Sequence, residues 1–261
     1  MKRILLSIIA ISIFTTIPTV VLADNAALTA KLYNAVGLLY AQSPQGELRM
    51  LCTATAFEQT PTYYSFVTAA HCIGDDDRAK ERSVSGDNIP FYITKDEEGN
   101  AKTYHRAKVK WAGYQSRGED FAVFEVQAKG GWDIIPLGDE HKEQVGSAIT
   151  NIASPLGLGF QVFHGALTTL NLDRPVVDNK GINWKGSMLL DISAGGGSSG
   201  SALVSQAHEN IVGFLVGSIG GSNVVGIPVS RFKAVLGAIE KKTYKWWAPQ
   251  ANINPDGSVK E

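Results

Sequence analysis

Three stretches of the chain hold residue types that together could drive acyl transfer. They are Thr68-Ala69-Ala70-His71-Cys72, Asp120-Phe121-Ala122-Val123, and Gly195-Gly196-Gly197-Ser198-Ser199-Gly200-Ser201-Ala202-Leu203. A neutral serine hydroxyl is a weak nucleophile and needs a base within hydrogen-bond reach. The base needs a partner that holds its tautomer and stabilises its positive charge. His71, Asp120 and Ser199 supply base, orienting group and nucleophile, in the chain order His, Asp, Ser. The glycines ahead of the serine let the backbone aim its N–H groups at one point. Those of Gly197 and Ser199 would form an oxyanion hole, with each donor worth about 2.7–4 kcal/mol. Taken singly, each stretch has a plainer reading. A histidine at a strand edge is commonly a hydrogen-bonded structural residue, an aspartate a turn former and a glycine-serine run a loop. The triple glycine lacks the lysine of a P-loop and the spacing of a dinucleotide fingerprint. The order and context of all three favour the chemistry.

Such residues need elements to position them. Short apolar or alternating runs, bounded by Gly, Pro, Asn or Asp, recur at Val36–Tyr40, Met50–Phe57, Ser65–Ala69, Pro90–Thr94, Phe121–Val126, Ser147–Ala153, Gln161–Leu170, Met188–Ile192, Ala202–Val204 and Ile211–Val216. Many are rich in Val, Ile, Phe and Tyr and read as strands. With no helical alternation between them, they predict an all-β barrel or sandwich. One helix is expected near the end: Phe232, Val235, Leu236 and Ile239 fall at helical spacing, Ser230 could cap its start, and Lys241 and Lys242 suit its end. A charged loop from Gly74 to Asn88 holds Asp75, Asp76 and Asp77 without the ligand spacing of a calcium loop, so it reads as solvated. The paired Trp246 and Trp247 of the tail read as packing residues.

The 261 residues are 44% apolar and 19% charged, which suits a globular protein. Twenty-seven glycines against 10 prolines suggest many turns. A net charge of −1 offers no basic field for nucleic acid. Lys2 and Arg3, the apolar run Ile4 to Phe14, and Val21-Leu22-Ala23 give the order of a secretory signal peptide over residues 1–23. The mature chain would start at Asp24, be secreted or periplasmic, and keep no stable membrane span. The alternative is a retained membrane anchor over Ile4 to Leu22, which Thr15, Thr16 and Pro18 interrupt. Cys52 and Cys72 are then in an oxidising compartment, as a disulfide or as two buried thiols. The remaining histidines, His105, His141, His164 and His208, lie outside the three motifs, and no spacing points to a metal or another cofactor.

The sequence resembles the trypsin-like peptidases of the chymotrypsin fold. Thr68–Cys72, "TAAHC", matches that family's histidine motif residue by residue. The resemblance implies that Cys72 is bridged to Cys52 on the preceding strand, closing a loop for about 3 kcal/mol. Within the family the chain looks most like bacterial HtrA-type and glutamyl-endopeptidase-type members. The stretches that carry this are "IPLGD" at Ile135–Asp139, Val145 to Leu170, "DISAGGGSSGSAL" at Asp191–Leu203 with its Asp eight residues before the serine, "GFLVGS" and "GIPVSRFKAVL". The likeness implies two six-stranded antiparallel β-barrels with the active site between them: an N-terminal barrel over 24–130, then a C-terminal barrel with its closing helix and short tail over 131–261.

Three departures refine it. Ser198 stands where digestive-type members have an Asp that pairs with a newly cut N-terminus. The chain ends soon after its closing helix, so the PDZ domain of HtrA proteins is not expected in it. Leu215 stands where glutamyl endopeptidases have a His. By the resemblance, the specificity pocket is lined by Ser193, Ala194, Leu215, Val216, Gly217, Ser218 and Gly226. None is charged, so small or medium apolar side chains are expected there, loosely discriminated. The expected activity is that of a monomeric serine endopeptidase acting on peptide or protein substrates. The alternative is a catalytically silent binding protein on the same scaffold.

Overall fold

The computed structural model describes residues 20–74, 90–95, 103–113, 118–127, 131–176, 183–219 and 223–240. Most of the expected signal segment, the charged loop with its three aspartates, and the tail with Lys241, Lys242 and the paired tryptophans lie outside the described residues.

The first element is a helix, α1 (Val20–Ala35), where no helix was expected. Its Leu28, Leu32 and Ala35 fall on one face and are buried. Six strands follow: β1 (Val36–Gln42), β2 (Leu48–Gln59), β3 (Tyr64–Thr68), β4 (Phe91–Thr94), β5 (His105–Ala112) and β6 (Ala122–Val126). They pair antiparallel in the order β1-β2-β3-β6-β5-β4 and close into a barrel through β1 and β4. β5 falls outside the apolar runs because its outward residues, Arg106, Lys108 and Lys110, are basic. Its buried face is the alternating Ala107, Val109 and Trp111.

The second barrel repeats the same connectivity with β7 (Ala148–Ala153), β8 (Gln161–Thr169), β9 (Met188–Asp191), β10 (Ala202–Ser205), β11 (Ile211–Ile219) and β12 (Asn223–Pro228). It is also antiparallel throughout, and β7 pairing with β10 closes it. The expected architecture, two six-stranded antiparallel barrels with a C-terminal helix, is therefore present. Among the described residues no helix is long and apolar enough to cross a membrane.

That helix, α2 (Val229–Glu240), joins the barrels. Phe232 meets Phe57 of β2, Phe121 ahead of β6 and Phe214 of β11 edge-on, with ring centroids 5.3, 5.1 and 5.0 Å apart. Fully burying one such ring is worth about 1.5–3 kcal/mol, so this cluster stabilises the junction that the site occupies. The start of α2 differs from expectation. Ser230 lies inside the helix and does not cap it with its own side chain. Its N–H donates to Glu140 Oε2 at 3.0 Å and its hydroxyl donates to Glu140 Oε1. A buried carboxylate from the second barrel thus satisfies the first turn of the helix.

Candidate active site

The barrel register brings two of the three motifs together. β3 and β6 are antiparallel, with Thr68 opposite Ala122. Continuing past Thr68 leads to His71, and stepping back from Ala122 leads to Asp120, so both emerge at the same end of the first barrel. A tight 3-10 turn, Ala70–Cys72, follows β3, with Cys72 N–H donating to Ala69 O at 3.2 Å and Ile73 N–H to Ala70 O at 3.0 Å. The turn is anchored by a disulfide from Cys72 to Cys52 of β2, with Cα atoms 6.1 Å apart and a sequence separation of 20. Replacing both cysteines by alanine is expected to cost about 3 kcal/mol, seen as a lower urea midpoint, because the unfolded chain regains the freedom of that loop.

At the end of the barrel the two side chains meet. His71 Nδ1 lies 2.6 Å from Asp120 Oδ2, and the His71 backbone N–H donates to Asp120 Oδ1 at 2.8 Å. One carboxylate therefore fixes both the ring and the backbone of the histidine. Asp120 is 1% exposed at its side chain, whereas the His71 side chain is 27% exposed. The pair is thus anchored at its acidic end and open at the imidazole. Asp120 itself sits in a short, tied loop: Phe121 N–H donates to Glu119 O at 2.8 Å and Gly113 N–H to Phe121 O at 2.9 Å.

The third motif crosses from the second barrel to meet β2. Thr53, fully buried next to Cys52, gives its N–H to Ser199 O at 3.1 Å and its hydroxyl to Gly197 O at 2.8 Å, while its Oγ accepts from Ser154 N–H at 3.1 Å. Leu156, in the left-handed region at φ 56°, donates its N–H to Gly196 O at 2.6 Å. In a trans peptide the carbonyl and the following N–H point opposite ways, so Gly197 N–H faces away from Leu156. Ser198 N–H turns back onto Gly195 O at 3.0 Å. Among the described residues, the N–H groups of Gly197 and Ser199 have no protein acceptor.

Gly200 holds this loop against the histidine strand. Its φ is +84°, and a Cβ there would lie 2.3 Å from Thr68 Oγ1, 2.4 Å from Ala69 N and 2.6 Å from Thr53 O. Ser199, half-buried, therefore lies one residue from a backbone contact with the strand that leads into His71. Gly200→Ala is expected to cost about 2–5 kcal/mol, combining the left-handed backbone with overpacking against backbone atoms. A chemical denaturation series measures it.

The expected pocket residues divide. Ser193 and Ala194 are exposed just ahead of the glycine run, Ser218 is exposed on β11, and Val216 is buried in the cluster between the barrels. Leu215 belongs to the core of the second barrel, and Gly226 faces the same core, where a Cβ would meet Leu203 at 2.5 Å. These two can offer a substrate only backbone. Gly217 lies beside Trp184, whose ring would be in ordinary contact, 3.5 Å away, with a Cβ at that position. The other histidines lie elsewhere: His105 on β5, His164 on β8, and His141 and His208 on turns. The sequence reading missed Thr53, Ser154 and Leu156, which hold the loop by hydrogen bonds, and Trp184, which packs beside Gly217.

Residues 52–214 match the family model described as Trypsin-like peptidase domain, a span that runs from the disulfide through the histidine, aspartate and serine motifs to β11. The chain belongs to the trypsin-like peptidase family. Among relatives, this trypsin-like peptidase is similar to the "Serine protease HtrA-like" protein of Staphylococcus haemolyticus (strain JCSC1435), at 28% identity over 169 residues. That match covers 61% of this chain and 25% of the relative, so the chain spans about a quarter of the relative's length. Its fold is similar to the crystal structure of Deg5, with a TM-score of 0.61 at 16% identity, over 85% of this chain and 94% of that one. The expected placing among trypsin-like peptidases holds, and an HtrA-like serine protease is among the chain's relatives.

Proposed function

We propose that this chain is a secreted or periplasmic serine endopeptidase that cleaves peptide bonds through an acyl-enzyme on Ser199. The observation that carries the reading is the two-point grip of buried Asp120 on His71, through Nδ1 at 2.6 Å and the backbone N–H at 2.8 Å. With the Nδ1 proton held by the carboxylate, Nε2 is the free basic nitrogen. In the proposed reaction, Nε2 takes the Ser199 hydroxyl proton as Oγ bonds to the substrate carbonyl carbon. The developing oxyanion is met by the N–H groups of Gly197 and Ser199. His71 then gives its proton to the leaving amine as the C–N bond breaks. Water, deprotonated by His71, attacks the Ser199 ester and releases the new carboxyl terminus, and His71 returns the proton to Ser199 Oγ.

The disulfide and the signal-like segment support an extracytoplasmic location, where such bridges persist. The uncharged surroundings of Ser193, Ala194, Val216 and Ser218 support cleavage after small or medium apolar residues. Incubation with a mixed peptide library, read by mass spectrometry, tests the activity. New internal termini made by the wild type and missing with Ser199→Ala support it. A folded wild type that makes none supports the catalytically silent scaffold.

A further inference from the structure

Among the described residues, one buried cation has no part in the mechanism above. Arg231 stands in the first turn of α2 and is 5% exposed. Its Nη1 donates to Gly118 O at 3.2 Å, and its Nη2 donates to Gly186 O at 3.1 Å and Lys185 O at 3.4 Å. Burial pulls the guanidinium below the usual arginine range, and the negative charges of buried Glu119 and Glu140 oppose that pull. A buried charge persists only where it is paired and hydrogen-bonded, and a fixed planar fork can serve three carbonyls that a point ammonium cannot. Glu140 is the carboxylate that holds Ser230, so the anchoring of the helix and the seating of Arg231 form one network.

Two of the groups around the guanidinium belong to residues directly before Asp120. Gly118 and Glu119 form the approach to the carboxylate that grips His71, and Arg231 reaches back 113 residues to hold them. The contact is close on both sides. Gly118 has φ +72°, and a Cβ there would lie 2.7 Å from Arg231 Nη1. The other end of the fork is tied to the turn that leads into β9, which β12 already holds by strand pairing. The guanidinium is thus a strut between the frame of the second barrel and the aspartate loop of the first.

We infer that Arg231 is a positioning residue, which locks residues 118–120 so that Asp120 presents both oxygens to His71. The inference rests on reading His71 and Asp120 as the catalytic pair. Without the strut the loop gains freedom, and the orientation of the imidazole is lost while the substrate-binding strands stay paired.

Arg231→Lys keeps the charge and removes the fork, while Gly118→Ala disturbs the same contact from the other side. Each is compared with the wild type by the downfield proton resonance of His71 Nδ1–H, assigned by its loss in His71→Ala, and by kcat and KM on a cleaved peptide. The expected result is a shifted or exchange-broadened resonance and a kcat about 100-fold lower, with KM within about twofold, in each single variant. The double variant should be little worse than the worse single one, since both break one contact. A folded Arg231→Lys or Gly118→Ala protein with the wild-type resonance and kcat would overturn the inference. If Arg231→Lys does not fold, Gly118→Ala alone decides. A wild type that shows the resonance but cleaves nothing overturns the peptidase reading instead, and the resonance comparison still judges Arg231.

Discussion

Ser199→Ala is expected to lower kcat about a million-fold while leaving KM and the melting temperature close to those of the wild type. The size follows from what the hydroxyl does. Without Oγ there is no atom to form the ester, so the two-step route closes entirely and only direct attack by water remains. The oxyanion donors and the binding strands persist, which leaves a residual rate above the uncatalysed reaction. Stability should hardly change because the loop is secured by backbone and neighbouring groups. Ser199 O accepts from Thr53 N–H, Gly197 O from Thr53 Oγ1, and Gly200 is pressed against Thr68 and Ala69, none of which involves Ser199 Oγ. A variant that kept most of its kcat would show that another group is the nucleophile.

Asp120→Asn should lower kcat about ten-thousand-fold with little change in the fold. The carboxylate accepts from the His71 backbone N–H at Oδ1 and lies 2.6 Å from Nδ1 at Oδ2, where the proposed mechanism has Nδ1–H donate. Asparagine has one acceptor oxygen and one donor group at those places. With the oxygen kept by the backbone N–H, the amide N–H2 faces Nδ1 and donates to it. The imidazole then carries its proton on Nε2, the nitrogen that must be free to accept the Ser199 proton. Steady-state kinetics on a good peptide substrate measure the loss. A loss below about tenfold would mean that Asp120 does not set the tautomer.

Much of the fold was legible because the strands carry apolar residues at alternating positions, and the runs from Val36 to Val216 fall on ten of the twelve strands. β5 hid behind Arg106, Lys108 and Lys110, since a half-buried strand with long basic side chains outward offers only every second residue as signal. α1 was passed over because the buried apolar face among its described side chains is Leu28, Leu32 and Ala35, and its first residues fall within the segment that reads as a leader. The proposed catalytic residues His71, Asp120 and Ser199 were readable as candidates because each lies in a local motif. Their supports were not. Thr53 looks like any strand threonine until Gly197 and Ser199 arrive from more than 140 residues away. Arg231 looks like a solvent-facing helix residue until Gly118 and Gly186 close on it. Such partners are set by tertiary packing, to which spacing along the chain is blind. The same limit explains Leu215 and Gly226, whose chain positions suggested a pocket while the barrel turns both toward its core.

The most direct test of the central claim is labelling of the purified protein with a fluorophosphonate probe, followed by digestion and mass spectrometry to locate the adduct. The prediction is a single adduct on Ser199, lost in Ser199→Ala and in His71→Ala, because only a serine activated by a base reacts at an appreciable rate. A folded wild type that takes up no probe, or an adduct on any residue other than Ser199, would contradict it.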